Sequence, residues 1–197
     1  MIRETIVTTV GAHGEPHIAP LGLIAEGAHW VLAPFHPSTT LGNLRRTPFA
    51  VANLTDDVRI FAGCLTGRRD WPLAPSAVVA VPRLQASLAH LELEVIETRE
   101  DATRPRFVCR VVHRALHAPF EGFNRAQAAV IEGAVLISRL RILPRSEIET
   151  ELNRLAIVVG KTAGESETEA WGWLVEEAAR FFAARIAEAP DERHPGR

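Results

Sequence analysis

The sequence predicts an α+β protein, an antiparallel β-barrel, closed or nearly closed, followed by a C-terminal helical subdomain. Three observations carry the prediction. The first 120 residues hold six or more strand-like segments separated by turn signals. No regular βαβ alternation interrupts them, which argues against a parallel sheet. The last third changes to helical spacing, with apolar residues recurring every three or four positions.

Taken in order, Glu4–Val10 is β-branched and is followed by the turn Gly11-Ala-His-Gly14. Pro16–Ile24 then makes the second arm of a hairpin. A turn at Glu26-Gly27 leads to a third strand, His29–Ala33. A hydroxyl-rich turn precedes a short helix over Leu41–Arg46, and Phe49–Leu54 resumes the sheet. Val58–Leu65 is short and apolar and is expected to continue that sheet as a strand. Residues 66–82 read as irregular, broken by Gly67, Pro72, Pro75 and Pro82. Ser87–Glu97 alternates Leu91, Leu93 and Val95 with Glu92, Glu94 and Ile96, a half-exposed antiparallel strand. Phe107–Leu116 closes the β portion.

Asn124–Leu143 reads as helix until Pro144 stops it. Ser146 with Glu149, and Ser166 with Glu169, have the spacing of capping boxes for two further helices. The expected domains are residues 1–120 for the barrel and 121–190 for the helices, with 191–197 a disordered tail.

Bulk composition narrows the function classes. Hydrophobic residues make up 47% and charged residues 23%, the balance of a globular chain with a proper core. A net charge of -2 with dispersed arginines gives no basic face for nucleic acid. No apolar run reaches the roughly 18 residues of a membrane span, and no leader opens the chain, so a cytoplasmic protein is expected. Cys64 and Cys109 sit in apolar segments without metal or disulfide spacing and read as buried free thiols.

The strongest local signal is Ser38-Thr39-Thr40, directly ahead of the short helix. Hydroxyls and unpaired first-turn N–H groups meet there at the positive end of the helix dipole, a site suited to an anion such as phosphate. A plain N-cap explains one hydroxyl equally well. Three hydroxyls, with Asn43 one turn inside and Arg45-Arg46 following, favour the anion. Local chemistry leaves both readings open.

The ordered segments Ile6-Val-Thr-Thr, His17-Ile-Ala-Pro20-Leu-Gly, Pro37-Ser-Thr-Thr-Leu-Gly-Asn-Leu and Phe49-Ala-Val-Ala-Asn-Leu resemble the flavin-reductase-like FMN-binding split barrel. Gly122-Phe-Asn-Arg-Ala126, Ala129-Val-Ile-Glu132 and Val159-Gly-Lys-Thr162 resemble more closely its domain-of-unknown-function 447 branch. The resemblance runs from Glu4 to Trp171. It implies an FMN-binding split β-barrel that works as a homodimer, with FMN at the subunit interface and a small-molecule substrate. It also implies an oxidoreductase, or else a binding protein that holds FMN or another phosphorylated ligand without turnover.

By the same resemblance, Ser38, Thr39, Thr40 and Asn43 would take the FMN phosphate. His17, Ile18, Ala19 and Pro20 would border the isoalloxazine or ribityl chain, and Asn53 would lie at the barrel end near the same pocket. His36 flanks that pocket, and Arg125 at its mouth could meet an acidic substrate. The second proline-rich element of well-studied flavin reductases has no counterpart that can be placed here, so a nicotinamide donor is not implied.

Remaining motifs read as structural. His113 and His117 share a strand face but lie roughly 13 Å apart along it. His90 is on a neighbouring strand, and no carboxylate is apparent at ligand spacing, so no metal site is expected. Asp56-Asp57 reads as a strand-ending turn, Asn124 as a helix N-cap, and Trp171, Trp173, Phe181 and Phe182 as packing residues. Lys161-Thr162 lacks the glycine frame of a nucleotide loop.

Overall fold

The computed structural model describes residues 1–188. The expected disordered tail, 191–197, lies outside them. Six strands close a barrel in the order β1-β2-β3-β8-β7-β4, with β4 pairing back to β1. These are β1 (Ile2–Val10), β2 (Pro16–Glu26), β3 (His29–Leu32), β4 (Phe49–Leu54), β7 (Ala89–Arg99) and β8 (Arg106–Leu116), all paired antiparallel. Gly27, at φ +60°, occupies the first of two residues linking β2 to β3, the position where a tight hairpin turn favours glycine.

The barrel interior holds Val7, Leu23, Leu32, Ala50, Ala52, Leu91, Leu93, Phe107 and Cys109. Helix α1 (Thr39–Arg46) adds Leu41 and Leu44 to this core. The period-2 alternation of the strands supplies the interior set directly from sequence.

Val58–Leu65 corrects the sequence expectation: it is helix α2, not a strand. Asp57 caps it by accepting the Arg59 N–H at 3.1 Å. Its apolar run lacks an exposed stripe because both faces are covered. Ile60, Phe61 and Cys64 pack on Ile6 and Ile18 of the barrel wall. Val58 and Ala62 enter the helical core. A short run buried on two sides cannot be assigned by periodicity alone.

The irregular stretch contains two short paired strands, β5 (Leu73–Ala74) and β6 (Arg83–Leu84). The C-terminal layer comprises α3 (Arg125–Ser138), α4 (Arg145–Thr162) and α5 (Glu165–Glu188). Val130, Ala134, Ile137, Ile148, Leu152, Ala170, Leu174 and Phe182 form its core, with Trp171, Trp173 and Phe181 packed against it. Asn124 caps α3 through its side chain, at 2.8 Å from the Ala126 N–H.

Neither expected capping box forms. Pro144 precedes α4 without a side-chain cap, so Ser146 falls inside the first turn and Glu149 pairs with Arg145 at 2.7 Å. At α5 it is Glu167, not Glu169, that takes a free N–H, from Gly164 at 2.9 Å. Both helices start earlier than the serine spacing implies.

Candidate functional site

Helix α1 begins as its sequence dictates. Ser38 is the N-cap in extended backbone, and its Oγ accepts the Leu41 N–H at 3.3 Å. Gly42 N–H begins the regular ladder on the Ser38 carbonyl at 3.1 Å. The N–H groups of Thr39 and Thr40 precede that ladder and have no intrahelical acceptor. Ser38 and Thr39 are exposed, whereas Thr40 is buried. The Ser38 hydroxyl keeps its hydrogen free to donate outward, because the cap uses only a lone pair.

Asn43 has a different task. It is buried, its Nδ2 donates to Thr9 Oγ1 at 2.9 Å, and its Oδ1 accepts from Arg46 at 2.7 Å. Thr9 is in turn the register partner of His17. One side-chain bond thus ties helix α1 to the end of β1, one strand away from His17. Arg45 and Arg46 stand in the last turn, where they complement the helix dipole, with Arg45 paired to Glu100 at 2.8 Å. The turn is braced from behind. Arg104 donates to the Ala33 carbonyl at 2.9 Å and lies over the Phe35 ring, and His36 N–H donates to Thr103 O.

In β2, Ile18 is buried and joins the α2 contact, while His17, Ala19 and Pro20 are half-buried. Burial, followed by the nearby positive charge of Arg69, holds the His17 pKa below 6.5. The ring therefore favours its neutral form. The exposed His36 side chain lines a shallow recess with Arg45, Glu100, Asp101 and Ala102, of about 380 Å³. Arg125 is exposed at the start of α3.

Asn53 is fully buried and its amide is fully used. Nδ2 donates to the Ile6 carbonyl and to Thr8 Oγ1, both at 2.9 Å. Oδ1 accepts the Leu84 N–H at 2.8 Å and Ser87 Oγ at 3.0 Å. Its side chain frames the barrel wall and pins the 84–87 segment.

Sequence reasoning missed the role of Glu92, expected on a half-exposed strand but 0 % exposed. Its carboxylate accepts the N–H groups of Ala77, Val78 and Val79 at 2.7–2.8 Å, and His90 Nε2 lies 3.2 Å away. Burial works against its charge, but these donors outweigh burial and hold the carboxyl down to about 2. The expectation that no carboxylate stands near the histidines is thereby corrected. Glu92 is the register partner of His113, directly across from it on β8. The available signal was Glu92 sharing a strand face with His90 at i, i+2.

Comparison with curated proteins found no match. Among solved structures, the chain is similar to an FMN-bound protein of the DUF447 family from Methanosarcina mazei, with a TM-score of 0.79 and 18% identity over 89% of this chain and 94% of that one. It is similar more distantly to nitrilotriacetate monooxygenase component B from Mycobacterium thermoresistibile (TM-score 0.52, 17% identity, 60% and 70% coverage). A third likeness is to 2-nitrobenzoate 2-nitroreductase from Pseudomonas fluorescens (TM-score 0.50, 21% identity, 58% and 64% coverage). These likenesses establish the split-barrel fold. The family description "Protein of unknown function (DUF447) N-terminal domain" matches residues 3–118, and "Protein of unknown function (DUF447)" matches residues 124–176. The chain belongs to the DUF447 family.

Proposed function

We propose that this chain is an FMN-binding flavoprotein of the flavin-reductase-like class, working as a homodimer on a small-molecule substrate. The observation that carries the reading is the start of α1. Exposed Ser38 and Thr39 hydroxyls stand with the unladdered Thr39 and Thr40 N–H groups, on a helix that the Asn43–Thr9 bond ties to the end of β1. This donor set fits a phosphomonoester, which needs several preorganised N–H and O–H donors more than one strong cation. The FMN-bound relative from Methanosarcina mazei supports the same reading through its shared fold.

In the proposed arrangement Ser38 and Thr39 donate to the phosphate, and the dipole of α1 adds to the attraction. Thr40 contributes its backbone N–H, since its side chain is buried. Asn43 and Asn53 hold the walls rather than the ligand, because protein partners already engage their side chains. Half-buried Ala19 and Pro20, with the backbone of Ile18 beside them, border the ring system in this arrangement, with a neutral His17 at its edge. FMN, when bound, supplies the hydride chemistry, so the chain need provide neither nucleophile nor strong base. The exposure of the turn favours a second copy as the cover for the ring. His36 and Arg125 are proposed as substrate contacts from the rim.

FMN titration followed by flavin fluorescence and by thermal unfolding tests the reading. Saturable binding with a raised Tm is expected. Ser38→Ala and Thr39→Ala should each weaken it about tenfold or more, the effect of a hydrogen bond to a charged group. Absence of binding, or equal affinity in the double variant, rejects the proposal. Anaerobic reduction of bound flavin by NADH or NADPH then separates an oxidoreductase from a protein that only holds FMN.

A further inference from the structure

The outer face of β7 and β8 gathers a second set of chemically capable side chains. His90 and Glu92, two residues apart on β7, point to the same side of the sheet, and His113 stands across from Glu92 on β8. One ring nitrogen of each histidine and one carboxylate oxygen all lie within 4.8 Å of one another. His90 is 2% exposed and Glu92 is fully buried, whereas His113 is half-buried and leaves one side open. Both buried members are held from behind. His90 Nδ1 lies 2.8 Å from His117 Nε2, and three backbone N–H groups of residues 77–79 orient the carboxylate.

We propose that His90, Glu92 and His113 form a binding site for a divalent transition cation of the zinc type, with His117 as the partner that orients His90. Two imidazole nitrogens and one carboxylate oxygen make a ligand set that such cations use with a fourth, open position. Magnesium and calcium prefer all-oxygen sites, so the two histidines select against them. Ligand atoms about 2 Å from one ion stand roughly 3 to 4 Å apart, so closing the present set around an ion takes only small side-chain movements. The His90 Nε2–Glu92 contact marks where the ion sits, and His90 Nδ1–H donating to His117 Nε2 gives the hydrogen-bonded second partner that metal-bound histidines have. A carboxylate serving only to hold residues 77–79 would be complete with its three N–H donors. It would not need imidazoles converging from two strands. The open side at His113 leaves the fourth position to water or a small ligand.

The site is tested on the full chain without an affinity tag, after chelator treatment. Zinc uptake is measured by calorimetry and elemental analysis, and cobalt(II) reports ligand geometry by its visible absorption. One ion per chain is expected, with the cobalt spectrum of a low-coordinate nitrogen and oxygen site. His113→Ala should weaken zinc at least a hundredfold, and His117→Ala tenfold to a hundredfold, the usual effect of removing an orienting partner. Should His113→Ala fail to fold, His113→Gln keeps the volume and tests the same loss. FMN affinity should be unchanged in the His113 variants, so failure here and failure of the flavin reading are separately visible. No stoichiometric zinc, or zinc held equally well without His113, overturns the proposal.

Discussion

Asn53 and Glu92 are buried polar residues on the outer barrel face, and both hold the irregular segment between α2 and β7. Asn53 makes its contacts with protein groups on β1, β4 and the 84–87 segment. Asn53→Ala leaves the buried Leu84 N–H without its acceptor and should cost about 2–4 kcal/mol, read as a lowered urea midpoint. A change within about 0.5 kcal/mol would show that water or a shifted loop replaces the amide. Donors outweigh burial at Glu92, but in the two thiols burial prevails. It pushes Cys64 up to about 11 and Cys109 up to about 12. At neutral pH both should resist alkylation in the folded chain and react fully in denaturant, a comparison that mass spectrometry reads directly. His17 makes stability depend on pH. Its folded pKa lies below 6.5, so the unfolded chain binds more protons between that value and 6.5. Its contribution is constant at higher pH and is lost as pH falls through this window. His17→Gln should flatten that part of the profile, measured as unfolding midpoint against pH.

Among the elements, α2 does the most to set the architecture. It is eight residues long, yet it gives three side chains to the barrel wall and two to the helical core. The helices behind it are closely packed. A Cβ built on Gly133 of α3 would stand 2.8 Å from the Trp171 ring and 3.2 Å from Leu174 of α5. Alanine normally favours a helix by about 1 kcal/mol over glycine. Here the overlap with α5 should reverse the sign, with Gly133→Ala destabilising by about 1–3 kcal/mol. A raised Tm would mean that Trp171 moves aside at no cost. The helix starts teach a related lesson: Ser146 and Ser166 have capping spacing, but the helices begin at Arg145 and Glu165, so both serines lie inside the first turn.

At the scale of the molecule, barrel and helical layer share a structural member rather than merely touching. Val58 and Ala62 precede residue 120 in sequence but are buried in the helical core, where α2 packs against α3 and α5. A chain ending at residue 120 would expose that face of α2. It should aggregate or bind hydrophobic dye, while the full chain should unfold in one transition. A soluble 1–120 fragment with a cooperative melt would show that α2 is stable on the barrel alone.

Much of this was legible in the chain itself. The barrel strands follow from alternation and turn residues, and α1 with its Ser38 cap follows from the Ser-Thr-Thr cluster and the spacing of Leu41 and Leu44. These are local properties, governed by neighbours within a few residues. The identity of α2 was not legible, because a run buried on both sides loses the periodicity that distinguishes helix from strand. Glu92 was not legible either. An alternating strand marks which residues share a face, but not whether solvent or another segment lies over it. The sequence by itself determined the strand order of hydrophobic faces and the hydroxyl turn. Only the tertiary structure decided that Asn43 ties α1 to Thr9 of β1, and that His90, Glu92 and His113 meet, because strand register and a covering loop are long-range pairings that no local pattern encodes.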